Sequence, residues 1–147
     1  MKKGQLSTEY LVILGVVVIL ALIVISVLGG FIDIGAGASS NAAKAYWGSA
    51  DIGLTNWQVA ETGDSSFAVR NNMDYTITVK KMSVGGVSTT SAFTLPAGKS
   101  QTVTIASIGC TKGSPYSYLV YFEYDDAQHS ITDLNYTGAK NIEGTCN

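Results

Sequence analysis

The hydrophobic pattern divides the chain into an apolar N-terminal part and a longer part made of short alternating segments. The eighteen residues from Leu11 to Leu28 carry no charge. Apolar side chains occur on all sides of this run, which is typical of a helix surrounded by lipid or by other helices. Its length matches the hydrocarbon core of a bilayer, which needs about 20 residues of helix. The pattern therefore predicts one long hydrophobic helix over residues 6–34.

Beyond Asp51 the chain consists of short runs rich in Thr, Val, Ile, Tyr and Phe, separated by glycine and proline turns. This pattern is typical of an all-β sandwich or barrel. Gly85-Gly86 is expected to close a tight hairpin. Tyr116–Tyr124 is apolar or aromatic on both faces and is predicted to be the central strand. The full set of predicted strands is Ile52–Val59, Ser66–Asn71, Tyr75–Val84, Thr90–Leu95, Gln101–Ala106, Tyr116–Tyr124 and Ile131–Tyr136. The expected fold class is thus α+β: a long N-terminal hydrophobic α-helix followed by an all-β sandwich-like globular domain.

Charge and composition argue against a nucleic-acid partner and against an enzyme. The chain has nine basic and eleven acidic residues, so it offers no basic stripe to displace phosphate counterions. His129 is the only histidine, and no nucleophile-elbow motif accompanies it. Gly98-Lys99-Ser100 lacks the helix of a phosphate-binding loop and is predicted to be a turn. Asp125, Asp126 and His129 are metal-ligand types, but their spacing favours a solvated turn. We therefore predict no catalytic residue, no metal site and no cofactor.

A specific motif stands directly in front of the apolar run. It combines a basic leader, a glycine, a glutamine after it, a serine two positions further on and a glutamate as the fifth residue counted from the glutamine. These residues are Lys2, Lys3, Gly4, Gln5, Ser7 and Glu9. The motif resembles the processing site of archaeal type IV pilin precursors, the class III signal peptides, over roughly residues 1–34. In that family a prepilin peptidase cuts before the apolar segment, here between Gly4 and Gln5, so the segment is kept.

The resemblance implies a function and an organisation for the whole chain. Residues 1–4 would be a cleaved leader, 5–34 a hydrophobic assembly or transmembrane helix, 35–50 a hinge with a helical extension, and 51–147 an extracellular β-domain. The protein would be a pilin that self-assembles into a surface filament supporting attachment. Its partners would be further copies, the prepilin peptidase and the pilus assembly machinery. Glu9 would meet the free amine of Gln5 on a neighbouring subunit. The precursor would lie in the cytoplasmic membrane, and the mature protein would be part of an extracellular archaeal filament.

Several alternatives remain open at this point. The chain also fits a minor pilin with the same processing. Ala36-Gly37-Ala38 has the small residues of a conventional signal-peptidase site, which would release a secreted domain. Lys2 and Lys3 would equally hold an uncut anchor in the cytoplasmic membrane by the positive-inside rule. Such an anchored β-domain would bind a ligand or a surface.

Two features of the β-domain follow from its expected position outside the membrane. Cys110 and Cys146 are predicted to form a disulfide, because thiols oxidise there. Two unpaired buried thiols are the alternative. Asn135 begins an N-glycosylation sequon with Tyr136 and Thr137. Since glycans are common on the filaments that this chain resembles, Asn135 is a possible glycosylation site.

Overall fold

The computed structural model describes the backbone of residues 3–27 and 31–147, and the side chains of residues 8–24 and 38–147. Helix α1 spans Lys3–Val27 and helix α2 spans Phe31–Ser49. The chain divides into two compact units, Met1–Gly37 and Ala38–Asn147. The strands that follow α2 are β1 (Ile52–Gln58), β2 (Asp64–Asn71), β3 (Ile77–Val84), β4 (Val87–Ser88), β5 (Phe93–Leu95), β6 (Ser100–Ala106), β7 (Pro115–Tyr118), β8 (Val120–Asp126), β9 (Ile131–Thr137) and β10 (Ile142–Thr145).

The predicted fold class, a long N-terminal hydrophobic helix before a sandwich-like domain, is wrong. The structure has two helices in place of the single helix predicted over residues 6–34. Among the described residues, no helix is both long and apolar enough to cross a membrane. The physical reason lies in α2, which is rich in Gly, Ala and Ser. Its final turns bury Ala43 and Trp47 in the β core, so they belong to that core and do not extend an apolar helix.

The β strands form three antiparallel sheets. The first has the order β1-β2-β6, and the second pairs β10 with β7. The third has the order β4-β3-β8-β9, with β5 also paired to β3. In this third sheet β8 has a strand on each side, because it pairs with β3 and with β9. The chain is therefore mainly β, with its strands spread over three sheets.

The segment Tyr116–Tyr124 is not one strand, as predicted, but two. Strands β7 and β8 flank Leu119 and belong to different sheets, β7 with β10 and β8 with β3. Leu119 itself is 51% exposed. The segment is apolar at both odd and even positions because the chain changes sheet here. Strands β7 and β8 each turn their own set of side chains towards the core. The prediction of a central strand is correct for β8 alone, and strands β4 and β10 were not predicted.

The three sheets share one hydrophobic core. Its fully buried members include Phe67 of β2, Met82 of β3, Phe122 of β8 and Ile142 of β10. Burial alternates along β3, since Ile77 and Val79 are buried between more exposed neighbours. A core filled from every sheet makes Ala38–Asn147 self-sufficient in apolar packing.

The hairpin predicted at Gly85-Gly86 is confirmed. It connects β3 to β4, which pair through Val84 and Val87. Gly85 and Gly86 have φ angles of 57° and 87°, in the left-handed region that both central positions of this hairpin turn require.

Trp47 fixes the end of α2 in the core. The side chain is 0% exposed, and its indole nitrogen donates to the carbonyl of Lys140 at 3.1 Å. The ring packs edge-on against Phe122 and Tyr136, each with a centroid distance of 6.4 Å. A Cβ at Gly138 would lie 2.2 Å from a ring carbon of Trp47. Position 138 therefore has room only for glycine.

Tyr46 adds a polar contact beside the indole. Its hydroxyl lies 2.8 Å from the hydroxyl of Tyr136 and accepts a hydrogen bond from the Ala139 backbone N–H at 2.8 Å. Neighbouring side chains of α2 thus contact β9 and the loop that follows it, one by packing and one by hydrogen bonding.

Because Trp47 fills the space between α2 and the sheets, we expect Trp47→Ala to lower the free energy of unfolding by about 3–5 kcal/mol. The measurement is denaturant unfolding of the full chain in detergent, followed by circular dichroism in the β region. Leu119→Ala is the control, since this half-exposed side chain should cost about 1 kcal/mol or less. Equal losses for the two variants would contradict the anchoring role.

Candidate functional site

Helix α1 presents an apolar surface from Tyr10 to Val24. Every side chain from Thr8 to Val24 is exposed. The large apolar ones between Leu11 and Val24 range from 45% exposed at Leu14 to 63% at Ile13. Soluble monomers rarely expose contiguous apolar surface on this scale, and such surfaces mark association sites. Helix α1 is therefore the candidate assembly surface.

Glu9 lies at the start of this surface. Together with Thr8, Val12 and Ile13 it lines a shallow groove of about 310 Å³ along α1. These four residues lie on adjacent i, i+4 rows of the helix, and a groove between such rows accepts the ridge of another helix. The Glu9 side chain forms no ion pair with any other described residue. A carboxylate is thus placed beside a groove suited to helix packing.

For the other residues of the predicted processing motif, the structure describes at most the backbone. The backbone of Lys3, Gly4, Gln5 and Ser7 belongs to α1. Their side chains, and all of Lys2, lie outside the described residues. The cleavage site and the pairing of Gln5 with Glu9 therefore stay predictions.

The predicted disulfide is confirmed. Cys110 and Cys146 are bonded, with their Cα atoms 5.9 Å apart and a sequence separation of 36. The bond joins the residues after β10 to the loop between β6 and β7. Two backbone hydrogen bonds lie next to the disulfide. Cys146 N–H donates to the carbonyl of Ser114, and Gly113 N–H donates to the carbonyl of Cys146. The last residues of the chain are thereby fixed to the body of the β-domain.

Asn135 lies on β9 with its side chain exposed. Its amide oxygen accepts a hydrogen bond from the Tyr121 hydroxyl at 2.6 Å. That contact orients the side chain and leaves the amide nitrogen, the atom that carries an N-linked glycan, without a hydrogen bond to any other described residue. The structure thus presents the sequon at the surface, and glycosylation itself stays a prediction.

The acidic pair Asp125 and Asp126 forms the end of β8, and its two carboxylates make different contacts. The carboxylate of Asp125 lies 3.0 Å from the ammonium of Lys80 and accepts the backbone N–H of Asp133 at 2.8 Å. Lys80 also contacts the carboxylate of Asp133. Hydrogen bonds to Asp133 and then Asp125 raise the pKa of Lys80 to about 12. Lys80 thus holds β3, β8 and β9 together at the sheet surface.

Asp126 closes the turn between β8 and β9. It is 4% exposed and accepts the backbone N–H groups of Gln128 and His129 at 2.9 Å each. Its second oxygen lies 2.7 Å from Nδ1 of His129. Burial opposes ionisation of Asp126, but these hydrogen bonds outweigh it and lower the pKa of the carboxyl. Within the residues that the structure describes, no three side chains of metal-ligating type come together.

The remaining sequence candidate, Gly98-Lys99-Ser100, lies where β5 turns into β6. Gly98 has a φ of 68°, and β6 follows directly. The predicted turn is confirmed.

Two important contacts were missed by sequence reasoning. The Tyr46-Trp47 anchor has a detectable signal, because Ala43, Trp47 and Ala50 are spaced by four and three residues, as one face of a helix requires. All three are buried. The ion pairs of Lys80 have no such signal, since Asp133 is 53 residues away along the chain.

Comparison with known proteins gives no family for this chain. No protein-family model matches it, and no curated protein matches it.

We expect loss of the disulfide to destabilise the β-domain without unfolding its core. In the loop-entropy model, closing this loop contributes roughly 3–4 kcal/mol. The test is thermal unfolding of the oxidised chain, the reduced chain and the Cys110→Ser/Cys146→Ser variant. The reduced chain and the variant should both melt well below the oxidised chain and at similar temperatures. Unfolding at the same temperature in all three would contradict the expected contribution.

Proposed function

We propose that this protein is a structural subunit of a type IV pilus-like filament on an archaeal cell surface. The observation that carries the proposal is the exposed apolar surface of α1, in a chain whose β-domain has a hydrophobic core of its own. Hydrophobic burial provides about 25 cal/mol per Å² of apolar surface removed from water. The free energy available for association is therefore concentrated on α1.

The N-terminal motif supports a specific route to assembly. A prepilin peptidase cuts between Gly4 and Gln5, and α1 remains on the mature subunit. The precursor is held at the cytoplasmic membrane through its apolar surface. The assembly machinery then transfers it to the filament, where the α1 helices of successive copies cover one another. The function is self-assembly in support of surface attachment, with no chemical reaction catalysed by the subunit.

Glu9 gives this assembly its register. Beside apolar neighbours, an unpaired carboxylate is costly, and a partner of opposite charge offsets that cost. Cleavage before Gln5 creates such a partner, because it leaves a free amine at the new N-terminus. In the filament the Glu9 carboxylate of one subunit meets the Gln5 amine of the next.

The first test concerns processing. Gly4→Leu places a large side chain at the scissile bond, so we expect precursor to accumulate and filaments to disappear. Mass spectrometry of the N-terminus measures the result, with Gln5 as the first residue of the unmodified protein. Ser7→Leu is not a suitable control, because Ser7 belongs to the same motif. Leu11→Val, beyond the motif, serves instead and should be cut normally. Normal filaments from Gly4→Leu would refute the processing step.

The second test concerns Glu9. We expect Glu9→Leu to be cleaved normally but to enter filaments at least about tenfold less, because the loss of one partner of a buried pair typically costs 3–5 kcal/mol. The measurement is the ratio of mature protein in sheared filaments to that in membranes. Tyr10→Leu introduces the same residue at the next position of α1 but removes no charge, so it should enter filaments far better than Glu9→Leu. A simple tethered domain would show the same ratio for Glu9→Leu as for the unmodified chain.

A further inference from the structure

The open edges of the sheets differ in their protection against pairing with another strand. At β9 the register shifts between Tyr124 and Asp126. Asp133, in the same stretch, has a φ of 59° and carries a charge paired to Lys80. A bulge and a charge are two devices that keep an edge strand from pairing with a neighbouring molecule.

The other edges are bulged, covered or very short. Strand β1 has a register shift between Leu54 and Asn56. The end of the chain lies beside it, since the Trp57 indole donates to Glu143 and Asn147 N–H donates to Val59. Strands β4 and β5 have two and three residues, and β7 and β10 have four each. Each of these edges offers little to a partner strand.

Strand β6 lies near β4, but among the described strands it forms a ladder with β2 alone, and it has neither a bulge nor a charge. It has seven residues, Ser100–Ala106, with no charge, proline or glycine. Its register with β2 runs without a shift from Ser100 opposite Arg70 to Ala106 opposite Asp64. Thr, Val and Ile make up most of the strand and favour β structure. Long, regular and uncharged edges of this kind are templates for strand addition.

The hydrogen-bond pattern shows which groups of β6 face the open edge. Just beyond its two ends, Ser107 N–H donates to Gly63 and Asn71 N–H donates to Lys99. Bonded and non-bonded pairs alternate along an antiparallel ladder, so the odd-numbered residues of β6 bond to β2. The even-numbered residues turn their N–H and C=O groups to the open side. These are Ser100, Thr102, Thr104 and Ala106.

We propose that this edge pairs with the β6 edge of a second copy, antiparallel, with Val103 on the two-fold axis. This register places Thr102 opposite Thr104 and Ser100 opposite Ala106. Every outward backbone group then meets a partner, which gives about eight hydrogen bonds across the pair. The exposed threonines form cross-strand pairs, which stabilise antiparallel sheets.

A second copy is the partner that best fits this edge. Because the strand has no charge, two copies meet without like-charge repulsion. The register centred on Val103 also places the hydroxyl of Thr102 in one copy opposite the hydroxyl of Thr104 in the other. The contact is small, so it is a weak interface that gains strength where many copies are held side by side. It involves no residue of α1, so it stands or fails independently of the proposed filament core.

Disulfide cross-linking tests both the pairing and its register. Full chains carrying Thr102→Cys and Thr104→Cys are mixed in detergent under mild oxidation, and the cross-links are mapped by mass spectrometry. Facing residues of a bonded antiparallel pair have Cα atoms about 5.5 Å apart, a distance that a disulfide spans. Copies of the same variant present their cysteines two residues out of register. We therefore expect at least about fivefold more dimer from the mixture than from either variant alone.

Thr132→Cys on the protected β9 edge is the control for association through α1. It should give only the background level of dimer. A mixture of Thr102→Cys and Thr104→Cys chains that does not exceed this background overturns the proposal. Equal dimer from the mixture and from each variant alone also overturns it, because the register would then be wrong.

A proline pair tests the hydrogen bonds themselves. Thr104→Pro removes an N–H that faces the open edge, whereas Val103→Pro removes one that bonds to β2. We expect Thr104→Pro to keep the thermal unfolding of the unmodified chain and to abolish cross-linking between Ser100→Cys and Ala106→Cys chains. Val103→Pro should lower the unfolding temperature. Survival of that cross-link, or unfolding of Thr104→Pro, contradicts the proposed edge.

Discussion

The packing of Trp47 is the contact on which the organisation of the β-domain depends. Its indole occupies the space between α2, β8 and β9, and it is completely buried. Two local features accommodate the indole ring. Gly138 has no side chain because the ring takes that volume, and Lys140 presents a carbonyl to the indole N–H. Without this residue the end of α2 would have no apolar reason to lie on the sheets.

Apolar surface is distributed very unevenly between the two units. In Ala38–Asn147 the large apolar side chains fill one core shared by three sheets. Along α1 the described large apolar side chains are exposed. This imbalance is what leads from structure to function, because the exposed surface gains free energy only by contact with something else. The proposed filament supplies that contact from other copies of the same helix.

Polar interactions complete the β-domain at its surface. The Cys110–Cys146 bond holds the end of the chain, Asp126 closes the β8–β9 turn, and Lys80 joins three strands. These contacts also determine which edges remain available. The bulge and charge at Asp133 protect β9, and the tethered chain end covers β1. The uncharged β6 edge has neither a bulge nor a charge, and it is the edge that we propose for association.

The sequence by itself determined the local features. Alternation located β3 and most other strands, Gly85-Gly86 located a hairpin, and two cysteines in an expected exported region indicated the disulfide. These predictions are correct because the side-chain period of a strand and the chemistry of a turn depend on only a few neighbouring residues.

Only the tertiary structure decided the rest. The apolar run does not show that α1 ends and that a second helix, α2, packs its last turns into the core of the β-domain. Tyr116–Tyr124 does not show that Leu119 divides it between sheets, since both halves look equally buried in the sequence. Lys80 on β3 and Asp133 on β9 come together because both strands pair with β8. This strand order depends on the packing of the whole core.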